Sequence, residues 1–383
     1  MLETHPSAPE LFRLEAIREI LRSPGPCITI LLPPHHPGEP TGAPAAVLRS
    51  NIQEAARDLA EKRFSAISHL LEPLQVLAKD PSLHVGSHWS RAIFRSPTIF
   101  EQFFLIQPIE ARLNVGGSFA IRWLASELAR PATFYILALS QKGVKLLRCA
   151  RLDCDLVKLP PGVPETLEEA LALEPPDHDL ENRSSAGASS GAMHSVRFGT
   201  GSGRERERVH LMDYYTLVDR GLEELTHEAE TFLIPAGVEE DVAIFRSISR
   251  CRRLAKRSIV GAPDVARGQA NLLREAYSIL FAEGLEKQRE ALSKAKEQTA
   301  PARFSTDLDS LLRAASEGRV GQIYVNERVE RIGLFDRANY RSWGEEDLLN
   351  LAMVQTLVHH GKACVLPAKM MPGRCIAAGI LRF

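Results

Sequence analysis

Thr133–Arg151 reads TFYILALSQKGVKLLRCAR. Two apolar runs flank Gln141-Lys142-Gly143, the signature of a β-hairpin. The first arm is apolar throughout, so it belongs at the centre of a sheet with both faces covered. Leu152–Leu159 (LDCDLVKL) alternates and supplies a third strand. PPGVP at Pro160–Pro164 breaks the pattern. Thr166 then caps a short helix over Leu167–Leu173, with Glu169 placed as in a capping box. After an open stretch, Val209–Glu228 carries Leu211, Tyr215, Val218, Leu222 and Leu225 at helical spacing. TFLIPAG (Thr231–Gly237) is a second buried strand, Val238–Ile248 a helix, and LAKRSIVG (Leu254–Gly261) the last piece of this domain.

The open stretch is ENRSSAGASSGAMHSVRFGTGSGRERER, Glu181–Arg208. Its only sizeable apolar side chains are Met193, Val196 and Phe198, too few to offset the entropy of ordering it. Loops this long inside a domain are functional or are linkers. The sheet resumes after it at Thr231, so the expectation is a mobile tip (181–208) projecting from a domain spanning 131–261.

The flanks are α/β as well. On the C-terminal side, Pro263 starts a long helix toward Lys296. Helix Leu308–Ala315, strand Val320–Asn326, strand RIGLFD, helix Leu348–His359, strand KACVLP and strand CIAAGILRF come next, an α/β/α layer pattern over 262–383. On the N-terminal side (1–130), spacing predicts a helix over Pro9–Leu21, then strand CITILL (Cys27–Leu32). Two more helices, around Val47–Leu59 and Ile67–Leu77, precede strands Arg91–Arg95 and Ile99–Ile109.

The chain has 383 residues and a formal net charge of -1, so any polyanion binding must rest on local patches. Its six cysteines form no C-x-x-C pair, which points to buried free thiols in a reducing cytoplasm. The N-terminus has no continuous apolar segment of the signal-peptide kind, and no run approaches the ~18 apolar residues of a membrane span.

Catalytic signatures are few. Gly201-Ser202-Gly203 is a lone G-x-G ahead of a helix. Asp153, Asp155, Asp219 and Asp241 lie near element ends, but nothing in their spacing brings them to one divalent ion. His35-His36 and His359-His360 are adjacent pairs, a poor arrangement for shared ligation. No catalytic residue, metal site or cofactor is therefore assigned. The basic run is stronger: Arg246, Arg250, Arg252, Arg253, Lys256 and Arg257, with no acid among them from Arg246 through Arg257. It is a candidate phosphate-contacting surface. In the tip, Arg204, Arg206 and Arg208 alternate with Glu205 and Glu207, which partly cancels their field, whereas Arg183 and Arg197 are not cancelled in this way.

FYILALSQKGVKLLR (Phe134–Arg148), PETLEEAL (Pro164–Leu171), YYTLVDRGL (Tyr214–Leu222), LIPAGVEE (Leu233–Glu240) and Ala363–Phe383 resemble the bacterial homologues of archaeal and eukaryotic class I peptide-chain release factors. Pelota-like ribosome-rescue proteins belong to the same superfamily. The resemblance implies three α/β domains: a family-specific first one, a central one with a ribonuclease-H-like sheet, and a last one like the ribosomal-protein fold that binds kinked RNA. It also implies that the tip occupies the place where release factors carry Gly-Gly-Gln. Here the only Gly-Gly is Gly116-Gly117, and no glutamine occurs between Gln141 and Gln269.

The expectation is a cytoplasmic, ribosome-associated factor of rescue or hibernation that binds ribosomal RNA without releasing peptide. Its RNA contacts would be Arg183, Arg197, Arg204, Arg206 and Arg208 at the tip and the six cations of 246–257 on the domain body. A translation GTPase is the further partner class implied, with no membrane and no DNA. Two alternatives stay open: a hydrolase acting on peptidyl-tRNA or RNA, and a non-ribosomal scaffold that kept the fold.

Overall fold

The computed structural model describes residues 10–11, 20–21, 23, 25–35, 42–64, 66–84, 89–124, 127, 131, 133–150, 152–173, 201–223, 225, 231–261, 269–335 and 346–383. They fall into two units, Met1–Arg130 with Leu280–Phe383, and Pro131–Ile279.

The first unit begins with strands β1 (Glu10–Leu11), β2 (Cys27–Leu32), β3 (Ser90–Arg95), β4 (Phe100–Leu105) and β5 (Arg112–Gly116), and helices α1 (Ala43–Glu61), α2 (Ile67–Leu77) and α3 (Pro81–His84). The sheet order is β1-β4-β3-β2-β5. Glu10 and Leu11 were expected to be helical. They pair instead, in parallel, with Phe103 and Phe104, because β4 offers a free edge to hydrogen-bond. Helices α1 and α2 cover one sheet face through Leu48, Ile52, Leu70 and Leu74 against Ile28, Ile30 and Ile93.

The second unit is built on β6 (Thr133–Ser140), β7 (Gly143–Ala150), β8 (Asp153–Val157), α4 (Leu167–Leu173), α5 (Gly201–Gly221), β9 (Phe232–Gly237), α6 (Glu239–Ile248) and β10 (Ile259–Val260). The sheet order is β10-β9-β6-β7-β8. β6, β7 and β8 form an antiparallel meander. β9 and β10 add in parallel on the other side. This is the ribonuclease-H-like arrangement, with the apolar β6 at its centre. The cap at α4 forms, with one partner shifted from the capping-box pattern: Thr166 Oγ1 accepts the Glu169 amide at 3.2 Å, and Glu169 Oε2 accepts the amide of Glu165, the residue before the cap, at 2.9 Å. α5 lays Leu211, Tyr214, Tyr215 and Val218 on the sheet. It starts at Gly201, earlier than the apolar spacing suggests, because Arg and Glu over 204–208 are good helix formers even without an apolar face.

Cys149 and Cys154 stand directly opposite in the β7/β8 register and form a disulfide, their Cα atoms 4.1 Å apart. The expectation of free thiols throughout thus fails at this pair. A strand register, unlike a spacing motif, is not visible in the cysteine pattern. Cys27, Cys251, Cys364 and Cys375 are free.

The chain returns to the first unit at Leu280, within α7 (Gln269–Gln298), and continues with β11 (Phe304–Ser305), α8 (Leu308–Ser316), β12 (Val320–Asn326), β13 (Ile332–Gly333), β14 (Glu346–Asp347), α9 (Leu348–Val358), β15 (Lys362–Leu366) and β16 (Ala377–Leu381). The sheet β11-β16-β12-β15 has α8 and α9 on one face and Leu285 and Leu292 of α7 on the other. α9 is apolar all round, and such helices are buried. Leu349, Ala352 and Met353 pack on the C-terminal sheet, while Val354 packs against Phe94, Phe103 and Phe119 of the N-terminal part. Asn350, also on α9, is buried, and its Oδ1 accepts the amides of Ile121 and Arg122 at 2.9 and 3.1 Å. Its Nδ2 donates to the Phe119 carbonyl at 2.9 Å. The Arg122 guanidinium, wholly buried, meets Asp347 at 2.9 Å and donates to the carbonyls of Asn326 and Val329. Among the described residues no helix is long and apolar enough to cross a membrane.

Candidate nucleic-acid interface

The basic run begins in α6 and continues past it. Arg246, half-buried, lies in the last turn of α6, where a cation complements the helix dipole. The helix stops at Ser249, which takes an extended conformation. Asp219, buried on α5, anchors the chain as it leaves the helix. Its Oδ1 accepts the Ser249 hydroxyl at 2.5 Å and its Oδ2 the Arg250 amide at 2.8 Å. The Leu233 amide then donates to the Arg253 carbonyl at 3.1 Å, and the Ala255 amide to the Leu233 carbonyl at 2.8 Å. Residues 253–260 therefore run along the free edge of β9 until β10 pairs with Ala236 and Gly237.

This edge binding sorts the side chains. Ala255 and Ile259 go into the core. Arg253 lies over the Phe232 ring at 5.2 Å, half-buried. Arg250, Arg252, Lys256 and Arg257 are exposed. Among the described residues, Arg250, Arg252 and Arg257 make no salt bridge to an acid. Four outward cations on a backbone pinned at both ends can meet successive phosphates without a large ordering cost.

The tip fares differently. Arg183 and Arg197 lie outside the described residues. Arg204 and Arg206 belong to the first turns of α5. Arg208 is on the same helix and exposed. Gly201-Ser202-Gly203 forms the first turn of α5 instead of preceding a helix. Asp219 lies near the other end of α5, roughly 16 Å along the axis from Arg208. Arg208 and the Asp219 anchor of the basic run therefore lie toward opposite ends of α5.

The acids separate too. Asp153 and Asp155 are exposed on β8, Asp219 is committed to the basic run, and Asp241 is buried in the first turn of α6. Burial, then Glu240 beside it, pushes the Asp241 carboxyl above its ordinary range. Of the histidine pairs, His36 is outside the described residues, and the His359 carbonyl accepts a hydrogen bond from Arg382. Among the described residues, no group of three or more His, Cys, Asp or Glu side chains could hold a metal ion.

Residues 133–319, just under half of the chain, match the family model described as bacterial archaeo-eukaryotic release factor family 3. Across that segment the chain is similar to release factors of this family. The segment contains the meander, α5, Asp219 and the whole basic run. Among solved structures, one described only as an archaeal protein is 14% identical over 98% of this chain and 99% of its own, with a TM-score of 0.23. The archaeal translation termination factor aRF1 is 12% identical over 97% of each chain, TM-score 0.23. Pelota of Archaeoglobus fulgidus is 12% identical over 78% of this chain and 80% of its own, TM-score 0.39. The family segment, not these overlays, carries the assignment. No curated protein matches the chain.

Sequence reasoning passed over Arg112, Trp123, Glu330 and Glu346, which line one polar cleft in the first unit. Lying more than 200 residues apart at the extremes, they share no local spacing. The three consecutive acids Glu345-Glu346-Asp347 just before an apolar helix were the one visible signal.

Proposed function

We propose that the protein is a ribosome-associated, release-factor-like translation factor of rescue or hibernation that binds ribosomal RNA and does not hydrolyse peptidyl-tRNA. The observation that carries this reading is the pinned basic segment, Arg250–Arg257, on the release-factor-like domain. Four of its five cations are exposed, and its backbone is held by Asp219 and Leu233. The tip arginines add a second set of contacts at the far end of α5. In this reading the chain is organised as 1–130, 131–261 and 262–383, and the last domain meets a translation GTPase in the cytoplasm. The absence of Gly-Gly-Gln, and of any glutamine between Gln141 and Gln269, supports a role without peptide release.

Co-sedimentation with ribosomes across a salt series tests it. Wild-type protein is expected in the ribosomal pellet at low salt, leaving it steeply as salt rises. Changing Arg250, Arg252, Lys256 and Arg257 to glutamate should abolish pelleting. Removing one contact should lower the log–log salt slope by about 0.7–0.9. Failure to pellet at low salt would refute the proposal, as would release of peptide from loaded ribosomes for its non-catalytic part.

A further inference from the structure

A cleft of about 120 Å3 opens in the first unit between the N-terminal sheet and the β13/β14 ribbon. Three carboxylates line it: Glu330, Glu346 and Asp347. Two are neutralised. Glu330 meets Arg112 at 3.1 Å and Arg122 at 3.8 Å, and Asp347 meets Arg122 at 2.9 Å. Glu346 is different. Its Oε2 accepts a hydrogen bond from the Ser118 hydroxyl at 3.2 Å, and it makes no salt bridge among the described residues. Lys62 is the cation whose field reaches it, but the Lys62 ammonium is given to the Val115 carbonyl at 2.7 Å. Burial raises the Glu346 carboxyl above its ordinary range, and the Ser118 bond and Lys62 only partly offset that. A half-buried carboxylate held by one hydroxyl and a lysine field, with no ion pair of its own among the described residues, has lost solvation that these contacts return only in part.

Trp123 narrows the choice of ligand. The Arg112 and Arg122 guanidinium carbons lie 4.0 and 4.1 Å from its ring centroid, and two such groups cannot share one face. With two guanidinium groups already on the ring, a third cation there, such as a quaternary ammonium, is disfavoured. What remains is hydrogen-bonding recognition: a cation with N–H donors, directed at Glu346.

We propose that this cleft is a binding site for a small primary amine or guanidine compound, its cationic head paired with Glu346. The site stands apart from the ribosome reading and can fail or hold independently of it. Arg112 Nη1 is engaged by Glu330 and its guanidinium lies on Trp123, yet the side chain stays 41% exposed. A carboxylate on the ligand would strengthen binding there, so amino acids and simple amines are distinguishable.

Calorimetry and tryptophan fluorescence on the full chain test this, with butylamine, agmatine and free lysine as probes and butanol as the uncharged control. Saturable binding of one amine per chain is expected, with no binding of butanol. Glu346→Gln keeps a partner for Ser118 and removes an uncompensated charge, so it should stay folded and bind about ten-fold more weakly or worse. Glu297→Gln, exposed on α7, should bind as wild type does. Lysine binding more tightly than butylamine would identify an amino-acid site, and the reverse order a simple-amine site. No saturable binding of any of the three cations, or equal affinity in Glu346→Gln, overturns the proposal.

Discussion

Gly221 shows how one residue can be fixed by a neighbour distant in sequence. A Cβ built there would lie 1.9 Å from Cγ2 of Val163, in the PPGVP turn. Alanine would improve helix propensity by about 1 kcal/mol, but overpacking costs about 1–3 kcal/mol. The net expectation is that Gly221→Ala lowers the chemical-denaturation midpoint, and that adding Val163→Ala recovers part of the loss. Glu346 makes a second residue-scale case. Burial raises its carboxyl, and that of Asp347 beside it, above the ordinary range. The folded state therefore holds protons that the unfolded chain gives up from about pH 4.3 upward. Stability should fall as pH rises through the window between the unfolded and the raised folded values. Glu346→Gln should flatten that fall and be more stable than wild type at neutral pH, as read from urea midpoints across pH.

At the scale of elements, α9 and α5 each join parts that local sequence keeps separate. α9 is buried on two sides, by the C-terminal sheet and by Phe94, Phe103 and Phe119. Asn350 is its polar rivet, engaging three backbone groups of Phe119, Ile121 and Arg122. Asn350→Ala would leave these groups buried without partners, each costing about 1–3 kcal/mol. A loss of at least about 2 kcal/mol in unfolding free energy is expected, with faster hydrogen exchange at the Ile121 and Arg122 amides. A loss below about 0.5 kcal/mol would show that water replaces the side chain. The apolar runs made both helices legible in the sequence. The start of α5 at Gly201 was not, because RERER has helix propensity but no apolar stripe to signal it.

At the scale of the first unit as a whole, Arg122 joins its N-terminal and C-terminal parts. It is buried with Asp347, and its donors also reach the Asn326 and Val329 carbonyls. Removing one partner of a buried pair costs roughly 3–5 kcal/mol, whereas replacing both with apolar groups can be close to neutral. Arg122→Met should therefore destabilise strongly, and Arg122→Met with Asp347→Leu should recover much of the loss. A double variant as unstable as the single one would place the value of Arg122 in its carbonyl contacts.

Most strands, the amphipathic faces and the cap at Thr166 were legible in the sequence, since each is set by period, propensity or a turn residue within a few positions; β1, expected as helix, and β5, whose Asn114–Gly116 was expected as a turn, were not, because each forms by pairing with a strand distant in sequence. So was the release-factor resemblance, which rests on the hairpin and on the VDRGL segment. Within that segment, Asp219 and Gly221 have their reasons elsewhere, at Ser249–Arg250 and at Val163. The basic run was visible as a charge anomaly, but its presentation depended on Leu233 accepting it as an edge partner of β9. The Cys149–Cys154 bond depended on the β7/β8 register, and the counterion-poor Glu346 on the approach of β14 to Ser118. Local sequence settles which elements form because their causes are short-range. Which charges are neutralised and which are left facing a cleft depends on residues far apart in the chain, and only the packed structure brings those together.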